Sequence, residues 1–177
     1  MAGLNIYCID SSKDITNVLD RFFTFGNVTP VSSVNDMVNK VIDAWNNSPY
    51  DIESLVIAGH GGPGFQSVGS GLKWDTTDEK GLLVDASDPR FLVGSGRTEL
   101  PRLRGLFTQT GVVTLTGCEV ARGPEGLQLL KVTSNALNVF VQGGRSTQRP
   151  LVPGWEGNVY RCYRSTCWIT RYGYLSD

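Results

Sequence analysis

The sequence predicts an α/β domain with a mainly parallel central sheet, helices on both faces and a C-terminal hairpin, and three observations lead there. Short apolar runs alternate with stretches of helical period, the central runs are apolar on both faces, and two of them end in glycine-flanked loops. Strands alternating with helices imply parallel strands joined by crossovers, and strands covered on both sides read as continuous apolar runs. At 177 residues the chain has the size of one domain, able to bury roughly two thirds of its unfolded surface without staples.

Leu4 to Ile9 reads as the first strand, closed by Asp10-Ser11-Ser12, and Ile15, Val18, Leu19, Phe22 and Phe23 then recur at helical spacing. A turn is expected at Gly26 and Pro30. A second helical pattern runs through Val34, Met37, Val38, Val41, Ile42 and Trp45, with Ser33 as its N-cap. Leu55-Val56-Ile57-Ala58 reads as a central strand that stops at Gly59-His60-Gly61-Gly62-Pro63-Gly64. A small hairpin is expected over 65–74, and a mobile loop insertion rich in Gly, Asp and Ser over 75–97. A short helix over 100–107 precedes a strand at Val112-Val113-Thr114-Leu115, which runs into Gly117-Cys118. Pro124 suits a first helical turn, Leu127, Leu129, Leu130 and Val132 continue that helix, Val139-Phe140-Val141 forms the next strand, and 158–174 alternates as a hairpin.

A formal charge of -1 with 19% charged residues gives no broad attraction to nucleic acid. No apolar run approaches the roughly 18 residues of a membrane helix, and Met1-Ala2-Gly3-Leu4-Asn5 lacks a basic region followed by an apolar core, so a cytoplasmic chain is expected. Cys8, Cys118, Cys162 and Cys167 are irregularly spaced. Two buried thiols are expected of Cys162 and Cys167, with a hairpin disulfide as the alternative in a secreted protein. A single histidine and no Cys-x-x-Cys pair argue against zinc, and the scattered carboxylates of 75–97 lack the regular spacing of a calcium loop. No metal or cofactor is expected.

A thiol becomes a useful nucleophile when an imidazole raises its thiolate fraction, and the imidazole can then protonate a leaving amine. Cys118 and His60 suit these roles. Each follows an apolar strand and is flanked by glycine, and in doubly wound sheets reactive groups gather at the carboxyl ends of strands. The N–H groups of Gly61 and Cys118 are the expected oxyanion donors. Taken singly, such a His is more often an ordinary loop residue and such a Cys a small core residue; the pairing carries the catalytic reading.

At these residues the sequence resembles the caspase-like cysteine peptidases of the caspase, legumain, gingipain and clostripain group. An apolar strand ends in Gly59-His60-Gly61, and a later one, Val113-Thr114-Leu115-Thr116, ends in Gly117-Cys118. His60-Gly61-Gly62-Pro63-Gly64, Gly117-Cys118-Glu119-Val120-Ala121 with Gly123 and Gly126, and Gly154-Trp155-Glu156-Gly157 are similar to a bacterial caspase-like domain of large surface proteins. The resemblance implies a three-layer sandwich over a single domain 1–177, a His60/Cys118 dyad acting on protein or peptide substrates, and no obligatory third residue. Where caspases carry Gln and metacaspases Asp, two positions before the nucleophile, this chain has Thr116. Arg145 occupies a place comparable to a caspase pocket arginine and suits an acidic target, whereas Asp10, at the end of the first strand, suits a basic one. Thr116, Arg145 and Asp10 are thus the candidate substrate-binding residues.

Two rivals come from other classes. Gly59-x-Gly61-x-x-Gly64 satisfies the dinucleotide fingerprint, with Glu79 at a tolerable distance for a ribose, but that motif requires a helix starting among the glycines, which Pro63, Gly69 and Gly71 oppose. The other is a catalytically silent caspase-like module that binds a partner, with Tyr160, Tyr163, Trp168, Tyr172 and Tyr174 as a candidate surface.

Overall fold

The computed structural model describes residues 3–11, 27–68, 82–85, 99–147 and 157–171. They form an α/β arrangement on a seven-stranded, mostly parallel sheet. The strands are β1 (Leu4–Asp10), β2 (Asn27–Val31), β3 (Ile52–Ala58), β7 (Phe107–Leu115), β8 (Phe140–Gly144), β9 (Val159–Tyr163) and β10 (Thr166–Arg171). A smaller antiparallel sheet joins β4 (Gly61–Gly62), β5 (Phe65–Ser67) and β6 (Leu82–Asp85). The order of the main sheet is β10-β9-β8-β7-β3-β1-β2, parallel from β8 through β2, with an antiparallel hairpin at the other end. The chain moves from β1 to β2 on one side and then crosses to β3 on the other. The order therefore reverses at β1, which opens a crevice at the carboxyl ends of β1 and β3.

Two helices are described, α1 (Val34–Asn46) and α2 (Gly123–Leu137). Ser33 caps α1 by accepting from the Asp36 N–H at 3.1 Å, and Val34, Met37, Val38 and Val41 form its buried stripe. Both helices pack on the 3₁₀ turn Leu100–Leu103. Arg102 donates to Asn39 Oδ1 of α1 at 2.9 Å, and Arg104 donates to the Asn135 carbonyl of α2 at 2.7 Å. The two helices thus share one face, as right-handed crossovers in the same direction require. The helix expected over 15–23, and with it a helical layer on the second face, lies outside the described residues. On the helical face Leu55, Val113, Val141 and Cys162 are in register and fully or almost fully buried. Each such aliphatic side chain contributes about 1.5–3 kcal/mol by leaving water.

Several elements differ from the sequence expectations. Pro30, read as a turn, lies in β2 opposite Ile9. β2 is the edge strand, where a missing N–H is tolerated, and the Pro30 carbonyl accepts from Lys40 Nζ at 2.8 Å. The helix expected over 100–107 is only the 3₁₀ turn, after which β7 begins at Phe107. The hairpin expected over 65–74 starts earlier, at Gly61, with Pro63-Gly64 as its turn. Part of the expected 75–97 loop, Leu82–Asp85, is strand β6 paired with β5; the remainder lies outside the described residues. Cys162 and Cys167, expected as separate thiols, are directly opposed in the β9–β10 register and form a disulfide. Among the described residues no helix is long and apolar enough to cross a membrane.

Candidate active site

Strand register brings the expected residues to one level. Ile57 of β3 pairs with Leu115 of β7, and His60 and Cys118 each lie three positions beyond that pair (60 − 57 = 3; 118 − 115 = 3). Leu115 pairs with Gly143 of β8, so Arg145 lies two positions beyond the same level, beside Gly117. Ile9 of β1 pairs with Ala58, which puts Asp10 next to Gly59. All these residues stand at the carboxyl ends of parallel strands, next to the crevice where the strand order reverses.

The two loops touch through glycine. A Cβ added to Gly61 would lie 2.8 Å from Gly117 Cα and 2.6 Å from Val120 Cγ1, and one added to Gly117 would lie 2.8 Å from Gly61 Cα. Real Cβ atoms do not approach so closely, so only glycine at both positions lets the His60 and Cys118 loops meet backbone to backbone. His60 and Cys118 are both half-buried. After Cys118 the chain turns through Glu119 at φ 56, left-handed for a residue with a Cβ. The Glu119 N–H donates to the Ser146 carbonyl at 3.1 Å, while its Oε1 accepts from Arg122 at 3.0 Å and from the Thr147 hydroxyl at 3.1 Å. These contacts fix the turn that carries the cysteine.

Ser67 N–H donates to the His60 carbonyl at 2.8 Å. That bond makes Gly61 and Gln66 a non-hydrogen-bonded antiparallel pair, so β5 does not consume the Gly61 N–H. The segment that satisfied the dinucleotide fingerprint is this β4–β5 hairpin rather than the start of a helix, and the helix that fingerprint requires is absent there.

The candidate substrate residues have distinct surroundings. Thr116 donates its N–H and its hydroxyl to the Ile57 carbonyl, at 3.0 and 3.3 Å, so its polar groups are turned back onto β3. Arg145 is half-buried, and its N–H donates to the Asn158 carbonyl at 2.9 Å. Asp10 is only 1% exposed, and its Oδ2 accepts from the Ser67 hydroxyl at 2.7 Å. Sequence reasoning missed Gln66 and Ser67, both fully buried against the His60 loop. Only their place shortly after His60, in a segment short of apolar residues, hinted at them. No group of three or more metal-ligating side chains occurs among the described residues.

Comparison of the chain with models of protein families, with curated proteins and with solved structures finds no match.

Proposed function

We propose that the chain is a cysteine endopeptidase of caspase-like fold, with Cys118 as nucleophile and His60 as its acid–base partner. The reading rests on one observation above all: the backbone contact between Gly61 and Gly117, which sets the loops carrying a histidine and a cysteine side by side at the carboxyl edge of a parallel sheet. In the proposed reaction the Cys118 thiolate attacks the scissile carbonyl carbon. The carbonyl oxygen takes up the negative charge, with the N–H groups of Gly61 and Cys118 as the oxyanion donors. Collapse of the adduct expels the amine, which receives its proton from His60. Water, deprotonated by the same imidazole, then attacks the thioester and releases the acid and the thiol.

The carboxyl end of β8 flanks this centre, so Arg145 is the proposed determinant of substrate preference, whereas Asp10, buried against Ser67, and Thr116, bonded back to β3, are engaged within the fold. Treatment with an electrophilic peptide and cleavage of a peptide library test the reading, with Cys118→Ala and His60→Ala as controls. Labelling at Cys118 alone and turnover abolished in both variants are expected. Turnover retained in either variant would overturn the dyad, and a folded protein that neither cleaves nor labels would be a silent module.

A further inference from the structure

We propose that Gln66 and Ser67, backed by Asp10, are positioning residues for the His60/Cys118 pair: a buried polar clamp that holds the two loops at fixed separation. The inference rests on the peptidase reading and adds to it what regulates the geometry of the site.

Gln66 and Ser67 are 0% exposed and Asp10 is 1% exposed. A primary amide placed in such surroundings is costly unless it is hydrogen-bonded at both ends. Gln66 is. Its Oε1 accepts from the Gly117 N–H at 2.9 Å, on the cysteine loop. Its Nε2 donates to the Ser67 carbonyl at 3.1 Å and, at 3.4 Å, to the His60 carbonyl. A backbone N–H can only donate and a carbonyl can only accept, so these partners dictate which end of the amide faces which loop.

Ser67 closes the clamp from the other side. Its hydroxyl accepts from the His60 N–H at 2.8 Å and donates to Asp10 Oδ2 at 2.7 Å. The same residue's N–H holds the His60 carbonyl. Both peptide groups flanking the His60 Cα are therefore gripped, which fixes its backbone dihedrals, while the Gln66 amide spans from that grip to Gly117. A leucine or methionine would occupy the Gln66 site at lower desolvation cost, but neither would bridge the loops. Catalytic groups lose efficiency steeply when displaced, about a hundredfold for 1 Å, so a bridge that touches neither reactive side chain still controls the rate.

The test reads the pH dependence of Cys118 alkylation by iodoacetamide in the full chain, with circular dichroism to verify folding. On the peptidase reading His60 raises the reactivity of Cys118, so His60→Ala should change this profile. Gln66→Met and Ser67→Ala should change it in the same direction and by a comparable factor, while Asp10→Asn, which keeps an acceptor for Ser67, should stay near the parent. If His60→Ala shifts the profile and neither Gln66→Met nor Ser67→Ala does, the clamp is overturned and the dyad stands. If His60→Ala itself shifts nothing, the dyad falls and the clamp with it. If both clamp variants fail to fold, the residues serve stability alone and the positioning role is wrong.

Discussion

Cys8 and Cys118 show how surroundings decide what a thiol can do. Cys8 is 1% exposed in β1, and burial pushes its thiol up to about 12, so it holds no useful thiolate near neutral pH. Cys118 stands on a loop and is half-buried. Brief alkylation of the native protein at pH 8 should therefore modify Cys118 and spare Cys8, with both modified after denaturation. Peptide mapping checks this, and native modification of Cys8 would show that β1 opens. Gly117→Ala makes a second test, because its Cβ would meet Gln66 Oε1 at 2.7 Å and Gly61 N at 2.9 Å. Relieving that clash costs about 1–3 kcal/mol of stability and should lower Cys118 reactivity; unchanged melting and alkylation would mean the loops are not in contact. His60 and Cys118 were legible because an apolar run ending in glycine marks a strand end. Gln66 and Ser67 were not. In sequence they are two polar residues in a glycine-rich stretch, and only the fold buries them, Gln66 against Gly117 and Ser67 against Asp10, each more than fifty positions away.

At the scale of elements, α1 was legible because its apolar spacing and its cap agree. Asp36 adds a local device. Burial pulls its carboxyl upward, but hydrogen bonds from Lys40 and from the N–H and hydroxyl of Ser32 outweigh this and hold it below the usual carboxylate range. Because the folded-state value is lowered, its stabilising contribution is complete above the ordinary aspartate range and is lost as pH falls through the lowered value. The stability gap between the parent and Asp36→Asn should be constant near neutrality and shrink on acidification below about pH 4; chemical denaturation across pH checks this, and a gap that persists at pH 2 would refute it. Ser33→Ala should cost about 1 kcal/mol by removing the cap. β2 and the start of β7 were hidden for opposite reasons. Pro30 signals a turn locally, but the sheet edge forgives it. In β7 the register with β3 slips between Ile52–Phe107 and Ser54–Val112, so β7 advances five positions while β3 advances two. That irregularity erases the period of two on which strand recognition depends.

At the scale of the molecule, the sheet separates the edge that carries the candidate site from a braced one. The carboxyl ends of β1, β3, β7 and β8 gather the candidate site, whereas β9 and β10 finish the sheet as an antiparallel ribbon tied by Cys162–Cys167. The ribbon packs through Phe140, whose ring lies 5.0 Å from that of Tyr163 and 6.2 Å from that of Trp168. Cys162 pairs with Val141, three positions back from the end of β8 at Gly144 (144 − 141 = 3). At roughly 3.3 Å per residue, the disulfide lies on the order of 10 Å along the strand from the level of the site. It closes a short loop, with a sequence separation of 5, so the chain-entropy account gives it about 2 kcal/mol. Hairpin pairing and the burial of Cys162 do not depend on the bond, and Cys118 lies on the loop after β7, a strand that pairs with neither β9 nor β10. Cys162→Ala/Cys167→Ala should therefore lower the unfolding free energy by about 2 kcal/mol while leaving the pH profile of Cys118 alkylation where it was. Denaturant melts and alkylation rates on the same preparation decide it: a shifted profile would mean that the ribbon helps to set the site, and an unchanged melt would mean that the bond adds nothing the hairpin does not already supply.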